Sequence, residues 1–243
     1  MQKNVLITGA ARRIGAACAR LLHAEGCNIA IHYRHSATAA AALGAELNAI
    51  RPDSAVTLQA ELTNLRSIVC LAENARSVWN GIDILINNAS TFYPTDIAKV
   101  SESQWHELMD SNLKAPFFLS RGLLATLTEN KGSIVNIVDI HAERGLPGYS
   151  VYSIAKAALC AMTLILAKEF APNVRVNAVA PGAILWPEQG LTDAEKQRII
   201  AHIPLQRQGG LDDIAKAVRY LVKDAEYVTG QIVRVDGGRL LNC

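Results

Sequence analysis

The sequence predicts an α/β fold, a single doubly wound parallel sheet of about seven strands with helices on both faces. Two patterns predict it. Short β-branched apolar runs alternate with longer Ala- and Leu-rich segments from one end to the other, the signature of βαβ units. The strand runs are continuously apolar rather than strictly alternating, as expected for strands covered on both sides. No repeat, low-complexity tract or linker interrupts the 243 residues, so positions 1–243 read as one domain.

The elements follow in order. "NVLIT" (4–8) is a strand, followed by a helix from Arg13 to Glu25. "CNIAIHY" (27–33) leads into an Ala-rich helix from Ser36 to Ile50, and "AVTLQA" (55–60) into a helix ending near Trp79. "IDILIN" (82–87) precedes one long helix within 101–128, and "GSIVNIV" (132–138) precedes a helix over 150–171. "VRVNAV" (174–179), a variable stretch, a helix at 211–222 and "QIVRV" (231–235) complete the chain. The variable stretch, 183–210, carries Trp186, Pro187, Gly190, Pro204, Gly209 and Gly210 around the helical piece "TDAEKQRIIAHI", and reads as a substrate loop.

Composition narrows the function classes. Half the residues are apolar and 19% are charged, as in ordinary globular proteins. A formal charge of +2, with no basic block, argues against nucleic acid as a partner. The five cysteines, Cys18, Cys27, Cys70, Cys160 and Cys243, are scattered and never form CxxC, which suggests free thiols and no zinc site. The longest apolar run, "AALCAMTLILA", is about half a membrane span. With no signal-peptide pattern at the start, the expectation is a cytoplasmic protein without a metal and without a membrane partner.

In a doubly wound sheet, ligands bind beyond the carboxyl ends of the strands. Those positions here hold small, polar or aromatic residues: "TGAARRIG", "RHS", "EL", "NNASTFY", Asp139 and "APGAILW". The first suits a pyrophosphate, because Gly9 and Gly15 let backbone approach it and a helix starts at once, at Arg13 and Ile14. Arg13 stands where such loops usually carry their middle glycine. The second strand ends in Tyr33, Arg34, His35 and Ser36, without the acid that would bind both ribose hydroxyls of NAD. Three donors there suit a 2′-phosphate, so the expected cofactor is NADPH. Asp139 is the unusual member, a carboxylate ending an apolar strand, where bare charge is costly.

These motifs together resemble the short-chain dehydrogenase/reductase family over the whole chain. The matches are "TGAARRIG", "NNAS" (87–90), Asn112 in "SNLKAPFF", "YSIAK" (152–156), "PG" (181–182) and the closing "VDGG" (235–238). The resemblance implies that Tyr152 supplies a proton, and that Lys156, one helical turn away, lowers its pKa and holds the nicotinamide ribose. It also implies that Asn112 holds a relay water, and that Glu61, Leu62, Asn88, Ala89, Ser90, Pro181 and Gly182 border the cofactor. Most members carry serine where Asp139 stands. The branch with this aspartate, with Arg13 in the glycine turn and with Ser90 and Phe92 after the fourth strand, is pteridine reductase. That likeness implies pterin reduction, with Phe92 stacking the ring, Arg13 and Ser90 on its polar edge, Asp139 beside Tyr152, and a substrate contact from Trp186. A β-ketoacyl thioester reductase is the alternative, and a cofactor-binding regulator without turnover is a third reading. Family likeness further implies a homotetramer, paired through helices 101–128 and 150–171.

Overall fold

The structure is a computed structural model that describes residues 2–186 and 191–242. Cys243, Pro187 and Gly190 lie outside the described residues. Seven strands form one sheet in the order β3-β2-β1-β4-β5-β6-β7, and every neighbouring pair is parallel. They are β1 (Asn4–Ile7), β2 (Asn28–Tyr33), β3 (Ala55–Gln59), β4 (Ile84–Asn87), β5 (Ser133–Ile137), β6 (Arg175–Pro181) and β7 (Ile232–Val235). Among the described residues, eight α-helices connect and flank them: α1 (Arg13–Ala24), α2 (Ala37–Ile50), α3 (Leu65–Arg76), α4 (Glu102–Met109), α5 (Ala115–Glu129), α6 (Ser150–Glu169), α7 (Asp193–Ala201) and α8 (Leu211–Lys223).

The two-sided burial expected from the strand sequences is explicit in the packing. Val5, Ile7, Ile29 and Ile31 pack with α1, α2 and α8, whereas Leu6, Ala30, Leu85 and Ile134 pack with α3, α5 and α6. Successive residues of a strand point to opposite faces, so an unbroken apolar run supplies two cores at once. The order in which strands are added reverses at the parallel β1–β4 pair, outward to β3 on one side and to β7 on the other, the switch point at which ligands of such sheets bind.

One expectation is revised. The long helix of 101–128 is two α-helices joined by a π-helical stretch, Asp110–Lys114. Pro116 has no N–H for the carbonyl four residues back, that of Asn112, and its ring crowds that position. Widening to an i→i+5 bond, Ala115 N–H to the Asp110 carbonyl, relieves both. Within the stretch, Ser111 Oγ donates to the Glu107 carbonyl at 2.8 Å and Asn112 Nδ2 to the Leu108 carbonyl at 2.9 Å. A π-bulge inside a helix is frequently a functional mark.

α6 is long and apolar enough to cross a membrane by length and composition, yet 56% of its 18-residue apolar window is buried inside the fold. It packs on the sheet and carries Tyr152 and Lys156 at its start.

Candidate active site

A cavity of about 770 Å³ opens at the carboxyl ends of the strands. At one end is the turn between β1 and α1. Gly15 belongs to it by necessity, because a Cβ there would stand 2.5 Å from the Gly9 carbonyl oxygen and 2.7 Å from Asn88 Nδ2. Asn88 Nδ2 in turn donates to the Thr8 and Gly9 carbonyls at 2.8 and 3.1 Å, tying the turn to the end of β4. Gly9 N–H donates to His32 Nδ1 at 3.0 Å, and His32 Nε2 lies 3.2 Å from the Ala60 carbonyl. Burial lowers the His32 pKa to about 4, so the ring is neutral at pH 7, accepting at Nδ1 and donating at Nε2. Arg13 has φ 53, taking the left-handed conformation that a glycine would adopt without strain. α1 begins without a side-chain cap on its free N–H groups. Arg12, Arg13 and Ile14 of that helix start all line the cavity.

The second region lies beyond β2, where Tyr33, Arg34, His35 and Ser36 line the cavity opposite Glu61 and Leu62. Arg34 is paired rather than open: its Nε donates to Glu61 Oε2 at 2.5 Å, and its Nη1 stands 4.0 Å from Glu107 Oε1. Glu61 also accepts from the Thr63 N–H and hydroxyl. Burial pushes the Glu61 pKa up, but the bonds from Thr63 and Arg34 outweigh it and the net shift is downward. α2 starts after Ser36, whose side chain makes no capping bond, so a second helix N-terminus faces this region.

The third region is the reaction end. Asp139, two residues beyond the Ile137 end of β5, caps a short 3₁₀ turn, with Oδ1 accepting the His141 N–H at 2.8 Å. Its Oδ2 accepts the Tyr152 hydroxyl at 2.8 Å. Lys156 Nζ donates to the Ile137 carbonyl at 2.9 Å and lies 5.7 Å from the centroid of the Tyr152 ring. Burial, then the charge and bond of Asp139, push the Tyr152 pKa well above 10, with Ser90 opposing. Burial pulls Lys156 down to about 8 against the pull of Asp139. Tyr152 therefore stays a phenol across the accessible pH range, while Lys156 changes charge near the top of it.

Aromatic rings wall this end. Phe92 is half exposed and stacks on Tyr149 at 4.5 Å between centroids, with a 10° interplanar angle. It meets Tyr152 edge-on at 4.7 Å. The loop bearing Phe92 is held in place where Thr95 N–H donates to the Gly148 carbonyl at 2.6 Å. Ala89, Ser90, Pro181, Gly182 and Trp186 complete this side of the cavity, with α7 approaching through Ile199.

All the residues expected at the site border this one cavity except Asn112. Asn112 is fully buried, and it reaches the cavity through Ser90, whose hydroxyl donates to Asn112 Oδ1 at 2.7 Å. Its amide donates to the Thr91 and Leu108 carbonyls, both at 2.9 Å, so the side chain is occupied in holding the β4 loop against the π-helical stretch. Sequence reasoning passed over His32, Arg12, His141, Tyr149 and Arg239, which also line the cavity. Arg12 was legible beside Arg13. The other four sit where only folding brings them to the crevice. Among the described residues, no group of three or more His, Cys, Asp or Glu side chains could hold a metal.

Comparison with known proteins fits this geometry. The family model described as enoyl-(acyl carrier protein) reductase matches residues 9–239. The chain belongs to the short-chain dehydrogenase/reductase family. Among its relatives in that family is pteridine reductase 1 of Leishmania tarentolae, 34% identical over 96% of this chain and 94% of that one. A 3-oxoacyl-(acyl-carrier-protein) reductase of Staphylococcus aureus is likewise 34% identical, over 98% of both chains. One from Synechocystis is 36% identical over 97% and 96%. As a short-chain dehydrogenase/reductase the chain is an oxidoreductase, and the family uses a nicotinamide dinucleotide. The two uncapped helix starts and the backbone cradle at Gly15 fit its phosphates.

Proposed function

We propose that the chain is an NADPH-dependent reductase of pterins, acting on dihydrobiopterin-like compounds and on dihydrofolate. The carrying observation is the 2.8 Å hydrogen bond from Tyr152 to Asp139, set under the Phe92–Tyr149 stack. Identity does not separate the pterin and oxoacyl relatives, which stand at 34% alike. The choice rests on the side chains at the reaction end.

Ketone reduction needs a neutral donor on one carbonyl oxygen, and a serine hydroxyl suits it. Pterin reduction puts hydride on a ring carbon and a proton on the neighbouring nitrogen. The cofactor supplies the hydride when bound. Tyr152 gives its hydroxyl proton to the nitrogen and regains one from solvent, and Asp139, accepting from Tyr152 at one oxygen and from the His141 N–H at the other, orients that hydroxyl. Lys156, cationic below about pH 8, offsets the cost of negative charge on the tyrosine and holds the ribose hydroxyls. Phe92 supports a flat heterocycle, offset ring pairs being worth about 0.5–1.5 kcal/mol beyond area burial. Arg13 and Ser90 flank the pterin's polar edge.

For NADPH over NADH, the support is the set of donors after β2: Arg34, His35, Ser36 and the uncapped start of α2. Glu61 and Glu107 hold Arg34 and give it up when a 2′-phosphate arrives. A homotetramer is supported by apolar side chains left exposed on the two long helices, Phe117 on α5 and Ile154, Leu164 and Ile165 on α6.

The direct test is NADPH oxidation followed by absorbance, with dihydrobiopterin in one assay and an acetoacetyl thioester in another. Turnover of the pterin is expected. Turnover of the thioester alone overturns the pterin assignment and leaves a ketone reductase with an unusual strand end.

A further inference from the structure

The dinucleotide turn rests on a side chain that no strand-end motif points to. His32 stands next to last in β2 and is 1% exposed, yet its ring underlies the nucleotide half of the cavity. Gly9 N–H donates to its Nδ1 at 3.0 Å, and its Nε2 lies 3.2 Å from the Ala60 carbonyl. The main chain is tied as well, because Ala10 N–H donates to the His32 carbonyl at 2.9 Å. One imidazole thus links the turn after β1, the end of β2 and the residue just before Glu61 and Leu62 on the cavity wall.

These bonds fix the chemical form of the ring. A backbone amide can only donate and a backbone carbonyl can only accept. Nδ1 is therefore bare and Nε2 carries the proton, the neutral ring in one tautomer. Burial favours the same neutral form. The surroundings of Gly9 show what the ring holds. Gly9 has φ of 63°, a Cβ on it would stand 3.0 Å from Ala89 Cα, and its carbonyl accepts Asn88 Nδ2 at 3.1 Å. Its N–H and its carbonyl are thus both engaged inside the protein. That carbonyl also stands 2.5 Å from where a Cβ on Gly15 would lie, so the placement of Gly9 sets how α1 begins beside it. A phosphate is left to the uncapped N–H groups at the start of α1, and their aim depends on the turn.

We propose that His32 is a positioning residue for the dinucleotide, its neutral Nε2–H ring clamping Gly9 and so holding the start of α1 ready for the pyrophosphate before the cofactor arrives. The inference concerns the nucleotide half of the cavity and holds for either substrate class, pterin or thioester. The Nδ1 bond to Gly9 carries the effect, and the Nε2 bond to Ala60 braces the ring. Without the Nδ1 acceptor, the empty turn spreads over other conformations and binding must reselect one. Affinity then falls by the fraction of competent turn that is lost. Chemistry at saturating cofactor stays as it was.

Two substitutions take the bonds apart. Asparagine sets its oxygen close to the place of Nδ1, and glutamine its amide nitrogen close to that of Nε2. Dissociation constants of NADPH and NADH are measured by fluorescence titration on His32→Asn and His32→Gln, alongside thermal unfolding. His32→Asn should keep both constants within about twofold, whereas His32→Gln should weaken both about tenfold, as loss of one buried hydrogen bond predicts. In each variant kcat at saturating cofactor should change by less than about twofold. Both should unfold at a lower temperature, so a role in stability alone would leave their cofactor affinities equal. Equal affinities, kept or lost together, overturn the proposal. So does weakening of NADPH alone, which would place the effect at the 2′-phosphate. On the unsubstituted protein, nitrogen NMR should show the His32 ring with a bare Nδ1 and a protonated Nε2, with and without NADPH, a readout that needs no variant to fold. A proton on Nδ1 overturns the clamp. Failure of the protein to reduce a pterin would overturn the pterin reading and leave these binding results standing.

Discussion

The cavity has two charged ends, built alike and behaving differently. At the adenosine end, Arg34 meets Glu61 at 2.5 Å with their side chains 43% and 32% exposed. At the reaction end, Tyr152 meets Asp139 at 2.8 Å with Tyr152 and Lys156 only 5% and 2% exposed. The shorter contact is the weaker one. An exposed ion pair is worth about 0–1 kcal/mol and is screened by salt, so Arg34 can exchange Glu61 for a phosphate at little cost. Buried groups have no water to fall back on. There, burial and then the Asp139 carboxylate hold a tyrosine as a phenol, and burial brings a lysine down to about pKa 8. The exposed pair is cheap to rearrange, and the buried groups at the reaction end are held in place.

The largest expected effect tests the prearranged end. Tyr152→Phe removes the transferable proton and should lower kcat by about 10²–10⁴-fold, while NADPH affinity, measured by fluorescence titration, changes by a few-fold at most. A comparable loss of cofactor affinity would show that the hydroxyl serves binding. Next comes Asp139→Ser. It frees the Tyr152 hydroxyl and should cost about 10²-fold in pterin turnover while raising activity on the acetoacetyl thioester. If pterin rates hold, Asp139 does not set the substrate class.

A pH profile sharpens the contrast without mutation. Lys156 is cationic below about pH 8 and neutral above it. Tyr152 is protonated throughout, because its shift is upward. So kcat/KM should be sustained on the acid side of 8 and fall as pH rises through it. Lys156→Arg, which keeps its charge, should move that fall to higher pH in whatever activity remains. A fall placed near 10 instead would assign the limb to an unshifted tyrosine and contradict the burial argument.

The smallest effects belong to the exposed end. Arg34→Ala should reduce the preference for NADPH over NADH, in kcat/KM, by about tenfold. Glu61→Gln, which releases the guanidinium, should tighten NADPH by a few-fold and leave thermal stability within about 0.5 kcal/mol, as expected for an exposed pair. A marked loss of stability would mean that the Arg34–Glu61 bond is structural after all.

Much of this was legible beforehand, for identifiable reasons. The strand runs were readable because both faces of each strand are buried, which forces unbroken apolarity; Val5, Leu6 and Ile7 divide between the two cores accordingly. The site residues at strand ends were readable because a parallel sheet collects them at one edge. The π-helical stretch at Asp110–Lys114 was not, since "DSNLKAPFF" reads as ordinary helix until Ser111 and Asn112 take the carbonyls of Glu107 and Leu108. Nor could the pairing of Arg34 with Glu61, 27 positions away, be seen from the strand that carries it.

The sequence by itself determined the sheet, the glycine turn, and the presence of Asp139, Tyr152 and Lys156 at one edge, because those follow from local periodicity and chain order. Only the tertiary structure decided what each group faces. It turned Asp139 onto Tyr152, buried Lys156 enough to lower its pKa, set Phe92 on Tyr149, and brought Arg239 from the far end of the chain to the wall of the same cavity. The reason is physical. Desolvation and pairing depend on distances between residues far apart in the chain, and no local pattern encodes them.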